Sequence, residues 1–89
     1  MKYKVVKYGA PWCGPCVMMD TIMERASKEF PDVEFENVDV SEDDCAINEF
    51  RIVAIPTIIC FKEDKVVSKT TGPMTYPVFK TLIENLLTA

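Results

Sequence analysis

Residues 2–8, Lys-Tyr-Lys-Val-Val-Lys-Tyr, form a run rich in Tyr and Val that stops at Gly9-Ala10-Pro11, after which the apolar residues change from extended to helical spacing. This switch is the tightest constraint on the fold. From Cys16 onward Met19, Ile22, Met23, Ala26 and Phe30 recur on one helical face, Asp20, Glu24, Arg25, Lys28 and Glu29 fall mostly elsewhere, and Pro31-Asp32 closes the segment. Val33 to Val40 then alternates as a second strand. A strand, a helix and a strand in that order make two parallel strands joined by a right-handed crossover.

Ser41, followed three residues later by Asp44, resembles an acidic capping box opening a short helix to about Phe50. Thr57 to Lys62 is a nearly continuous apolar run, Glu63-Asp64-Lys65 a polar turn, and Val66 to Thr71 a second extended run, which together predict a β-hairpin. Gly72-Pro73 breaks it. Phe79, Leu82, Ile83, Leu86 and Leu87 then fall at helical spacing, with Thr75 as N-cap and Pro77 tolerated in the first turn. The predicted order is βαβαββα: an α/β fold with one four-stranded mixed sheet and helices on both faces. At 89 residues a single domain spanning 1–89 is expected, so its chemistry must sit at the surface.

Composition narrows the function. Apolar residues make up 48% of the chain and charged ones 27%, a globular balance that excludes disorder. A net charge of −4 argues against nonspecific nucleic-acid binding, which needs Lys and Arg to neutralise phosphates. No apolar stretch approaches a membrane span, and the lysine-dotted segment from Met1 to Lys7 has no secretory apolar core, so a cytoplasmic location is the default expectation.

Trp12-Cys13-Gly14-Pro15-Cys16 sits at the first strand-to-helix junction and places two thiols one helical turn apart. With Cys13 as N-cap, Gly14, Pro15 and Cys16 become the first three helical residues, and the unpaired first-turn amides stabilise negative charge on the Cys13 sulfur. Pro15 suits this register because a first-turn amide has no intrahelical acceptor to lose, and Gly14 lets a partner's backbone approach. Cys16, one turn in and towards the apolar face, is expected to be buried, less acidic and suited to resolving a mixed disulfide. The thiolate is the attacking species, so Cys13 would attack a substrate disulfide and Cys16 would release the reduced substrate. The competing reading is a zinc site completed by Cys45 and Cys60, but those two are fifteen residues apart rather than a second close pair. Cys60 lies in an apolar strand and reads as a small core residue, while Cys45 reads as structural or incidental, with a regulatory thiol as the alternative. Met18, Met19 and Met23 read as core filling with one exposed member, and no cofactor other than the dithiol itself is expected.

Three separated matches in order, Trp-Cys-Gly-Pro-Cys at 12–16, Ile-Pro-Thr at 55–57 and a glycine at 72 after the last strand, make the chain resemble thioredoxins over nearly its whole length. The resemblance implies a monomeric protein-disulfide reductase acting on disulfide-containing proteins and recharged by a thioredoxin reductase. It also implies a cis Pro56 facing the cysteines, and an apolar rim of Pro11, Trp12, Ile55, Gly72, Pro73 and Met74 that meets partners. The short length, without the extra N-terminal strand and helix of full-length thioredoxins, instead suits a glutaredoxin-sized protein recharged by glutathione. A third alternative is a passive module that uses the motif only to dock. Where thioredoxins carry a buried aspartate, six residues before the first cysteine, this chain has Lys7. A lysine there lowers a thiol pKa but cannot accept its proton. Lys7 either faces solvent or turns inward to meet an acid, such as one from the second strand. Asp20, four residues after Cys16, is the candidate proton acceptor in a chain without histidine, and solvent is the alternative.

Overall fold

In the computed structural model, which describes residues 2–42 and 44–89, the chain runs β1 (Tyr3–Gly9), α1 (Gly14–Glu29), β2 (Val33–Asp39), α2 (Cys45–Phe50), β3 (Thr57–Lys62), β4 (Lys65–Thr71) and α3 (Tyr76–Leu87). The predicted order is the observed one. The strands lie in the order β2-β1-β3-β4, with β1 parallel to β2 and antiparallel to β3, and β3 antiparallel to β4.

β1 and β3 are the central strands, and their alternating side chains divide the core into two. On one face Val5, Ile58 and Cys60 pack with Met19, Met23 and Ala26 of α1 and Phe79, Ile83 and Leu86 of α3. On the other, Val6, Tyr8, Ile59 and Phe61 pack with Val40, Ala46 and Ile52 around α2. Helices therefore cover both faces, and central strands buried on both sides explain why residues 57–61 read as an unbroken apolar run. Phe79, Ile83 and Leu86 form the buried stripe of α3, while Leu82 and Leu87 sit half-buried at its flanks. Met18 is the exposed methionine of α1.

Local chemistry moves two boundaries. The hairpin turn is two residues long, not three: Glu63 and Asp64 take positive φ of 51° and 68°, and Lys65 already pairs with Lys62. Two consecutive left-handed residues match the right-handed twist of the flanking strands. Ser41 does not cap α2, because its backbone N–H and hydroxyl both donate to Asp39 Oδ1, at 2.9 and 2.6 Å, in a turn that ends β2. The helix starts later, at Cys45, with Asp44 in the N-cap position making no side-chain cap. Thr75 has the extended backbone of an N-cap but likewise no side-chain cap bond. Its carbonyl instead accepts the first intrahelical bond, from Phe79 N–H at 3.0 Å.

Phe79 is fully buried where α3 meets the sheet, next to Phe35 of β2. Truncation there leaves a cavity between layers that cannot collapse independently. Phe79→Ala is expected to lower the unfolding free energy by about 3–5 kcal/mol in urea denaturation, against about 1 kcal/mol or less at exposed Val78.

Candidate active site

The site is built where β1 ends and α1 begins. Cys13 is the N-cap of α1, with extended backbone (φ −95°, ψ 107°), Gly14 and Pro15 occupy the first two helical positions, and Cys16 N–H donates to Cys13 Sγ at 3.2 Å. The sulfur thus takes the place of a capping oxygen and lies at the positive end of the helix. Cys13 and Cys16 are joined as a disulfide with their Cα atoms 5.2 Å apart. Only Cys13 reaches solvent, at 8% exposure against 0% for Cys16. The two sulfurs are therefore inequivalent in access, as the helical register requires.

Gly9, which the sequence marks only as a strand end, determines how closely α1 sits. A Cβ at Gly9 would lie 2.8 Å from Cys16 Sγ and 3.0 Å from Cys16 Cβ, closer than side chains pack, so the glycine makes room for the buried sulfur. The available signal was period two: Val5, Lys7 and Gly9 share the strand face beneath α1.

Lys7 turns inward. Its side chain is buried, and its ammonium donates to the Cys16 carbonyl at 2.9 Å and forms an ion pair with Asp20 Oδ1. The acid that meets it is Asp20 of α1, one turn beyond Cys16, rather than one from β2. Asp20 is about half exposed and is held by the lysine. Asp39 of β2 lines the same cleft, with its Oδ1 accepting from Ser41. Burial, with Glu36 and Glu49 adding to it, pushes Tyr8 up to about 12, so its hydroxyl stays protonated on the opposite face of the sheet.

The second wall is the segment before β3. The Ile55–Pro56 peptide is cis, as the resemblance implies, and Pro56 is buried. Thr57 Oγ1 donates to the Ala54 carbonyl at 2.6 Å, and Gly72 N–H donates to the Pro56 carbonyl at 2.8 Å. Gly72 has φ +96°, a left-handed conformation that a side chain would strain, so a glycine is required to bring residues 72–73 against this loop. Ile55 packs on the cluster of Ala10, Cys13 and Cys16. Trp12, 73% exposed, faces Ile55 across a groove of about 280 Å³ that Ile47, Ile52, Val53 and Ala54 also line. Pro11 and Pro73 are exposed, whereas Met74 departs from the expected rim and packs half-buried on the α1–α3 core. Gly14 is exposed, and a Cβ there would meet nothing within 4 Å, so its own fold does not demand a glycine.

The other two cysteines lie apart from this site. Cys60 is fully buried in β3, and burial pushes its thiol pKa up against a smaller opposing effect of Ser68. Cys45 is exposed at the start of α2. Among the described residues no group of three or more His, Cys, Asp or Glu side chains is placed to hold a metal.

An N-cap sulfur that just reaches solvent, bonded to a fully buried partner one turn later, on a mixed sheet with helices on both faces, defines a thiol–disulfide oxidoreductase. The sequence profile of thioredoxin matches residues 1–85. Thioredoxin-1 of Saccharomyces cerevisiae is 37% identical over 71 residues, which cover 80% of this chain and 69% of the yeast protein. Thioredoxin H-type of Ricinus communis is 32% identical over 85 residues, covering 96% and 72%. Among solved structures, oxidised mitochondrial thioredoxin 3 of S. cerevisiae superimposes with a TM-score of 0.87 at 28% identity, covering 94% of this chain and 78% of that one. Fasciola hepatica thioredoxin gives 0.84 at 32% identity, covering 93% and 80%. The chain belongs to the thioredoxin family and is a disulfide reductase of that family.

Because Gly9 and Cys16 approach so closely, Gly9→Ala must displace either the strand end or the sulfur. Overpacking of this kind is expected to destabilise the oxidised protein by about 1–3 kcal/mol in urea. An unchanged midpoint would show that β1 relaxes away from α1 without cost.

Proposed function

We propose that residues 1–89 act as one domain in which Cys13 is the nucleophile and Cys16 the resolving thiol for disulfide-containing proteins. The observation that carries the assignment is the inequality of the pair, Cys13 at the open end of the helix and Cys16 sealed beneath it. In the reduced protein the Cys13 thiolate attacks one sulfur of a substrate disulfide. The substrate S–S bond breaks, a mixed disulfide forms on Cys13, and the first substrate thiolate leaves and takes a proton from solvent. The Cys16 thiolate then attacks Cys13 Sγ, forming the Cys13–Cys16 bond and expelling the second substrate thiolate. Two electrons pass from the dithiol to the substrate.

Trp12, Ile55, Pro56, Gly72 and Pro73 frame the place where an extended substrate segment would lie, and the exposed apolar area of Trp12 supports this reading. Gly14 and Pro15 support the thiolate by forming the first turn. The redox-active disulfide is the only prosthetic element needed, and electrons come from NADPH through a thioredoxin reductase. We place the protein in the cytoplasm, where thiols are kept reduced, and as a monomer, since its catalytic pair is complete within one chain.

In a turnover assay on a protein disulfide, Cys13→Ser is expected to reduce the rate to that of the uncatalysed reaction. Cys16→Ser should instead accumulate a mixed disulfide through Cys13, seen as a covalent adduct by mass spectrometry. Adducts forming through Cys16 in Cys13→Ser would reverse the roles. Recharging by glutathione but not by NADPH and a thioredoxin reductase would replace the electron donor, and biological activity surviving the double serine variant would favour passive docking.

A further inference from the structure

We infer that Lys7 is a positioning residue for the resolving step, supplying a buried positive charge that lets Cys16 ionise without a buried base, and that Asp20 holds this lysine in place instead of taking the proton. The inference rests on the assignment of Cys16 as resolving thiol and adds how that thiol loses its proton.

Four observations support it. First, the Lys7 ammonium is tethered to the residue it would serve, through a 2.9 Å bond to the Cys16 carbonyl. Second, the point where a Gly9 Cβ would stand is 2.8 Å from Cys16 Sγ and 3.7 Å from Lys7 Cε, so the lysine side chain and the sulfur border the same small space. Third, the two charges of the ion pair are unequally screened: the Lys7 side chain is 7% exposed and that of Asp20 49%. Solvent weakens the field of the exposed carboxylate more than that of the buried ammonium, leaving net positive potential at the sulfur. Fourth, Asp20 Oδ1 is already engaged by the Lys7 ammonium, which ties the lysine to α1 one turn beyond Cys16.

The surroundings add one further carboxylate. From α1 come Asp20 and the two cysteines, and from β2 comes Asp39, whose Oδ1 accepts two bonds from Ser41. β3 places Ile58 opposite Lys7, and α3 meets this core through Phe79, Ile83 and Leu86. A cleft of about 210 Å³, lined by Lys7, Gly9, Asp20 and Asp39 among others, opens beside the Lys7–Asp20 pair. In the step itself the Cys16 S–H proton passes to solvent, the thiolate is held beside the ammonium, and its electron pair forms the bond to Cys13 Sγ as the substrate thiolate departs.

The test is the pH dependence of substrate release from a preformed Cys13 mixed disulfide in single turnover, with thiolate absorbance followed in the reduced protein. Lys7→Met is expected to raise the midpoint by about one pH unit or more, which slows release about tenfold near neutral pH. Lys7→Arg should restore it. Asp20→Asn removes the counter-charge but keeps an Oδ1 acceptor that can hold the lysine, and should leave the midpoint unchanged or lower it. Should Lys7→Met fail to fold, the Lys7→Met/Asp20→Leu double variant removes both charges and must show the same rise. An unmoved midpoint without the lysine, or a raised midpoint with slowed release in Asp20→Asn, overturns the inference, the latter by making Asp20 the base. A failure of the underlying assignment looks different: Cys16→Ser then traps no mixed disulfide, whatever stands at position 7.

Discussion

The active site depends on how closely the first turn of α1 sits on the end of β1. Helix and strand can approach there because Gly9 presents no side chain, and the vacated volume is filled by the Cys16 sulfur. From that contact the rest follows. Cys16 is sealed, Cys13 is left at the helix mouth with its sulfur bonded to the first-turn amide, and Lys7, two residues up the strand, reaches the carbonyl of Cys16. A helix seated farther out would leave both thiols open to solvent and remove the asymmetry that orders two successive exchanges.

The sheet makes this seating rigid. β1 is held on both sides, parallel to β2 and antiparallel to β3, so its end cannot move without breaking two ladders. The loop before β3 is fixed to the same frame by Thr57 and by the bond from Gly72 to Pro56. The reacting pair therefore lies between two anchored walls, while the apolar surface at Trp12 and the 53–55 segment remains open.

Much of this was legible in the sequence. Period changes at Gly9, Pro31 and Gly72 marked the elements, and the cap register of Cys13, Pro15 and Cys16 followed from which first-turn amides are unpaired. The details that were not legible depend on helix rotation and on local competition. Whether Lys7 meets Asp20 or an acid of β2 depends on how α1 is turned about its axis, which spacing alone does not determine. Ser41 reads as a cap because the motif is local, but Asp39, two residues earlier, captures its hydroxyl. Gly9 looked like punctuation, since the need for a missing side chain appears only when the sulfur above it is in place. The resemblance places Met74 on the rim, and in the structure it packs partly buried against the α1–α3 core.

The central claim is that Cys13 and Cys16 cycle as one dithiol–disulfide couple while Cys60 stays a core residue. The most direct measurement equilibrates the protein across a series of glutathione redox buffers, quenches with an alkylating agent and locates the labels by mass spectrometry. The account predicts that labels on Cys13 and Cys16 disappear together in a single two-electron transition, with Cys60 unlabelled throughout unless the protein is unfolded. Independent titration of the two residues, or a pair that remains fully alkylatable at the oxidising end, would contradict it.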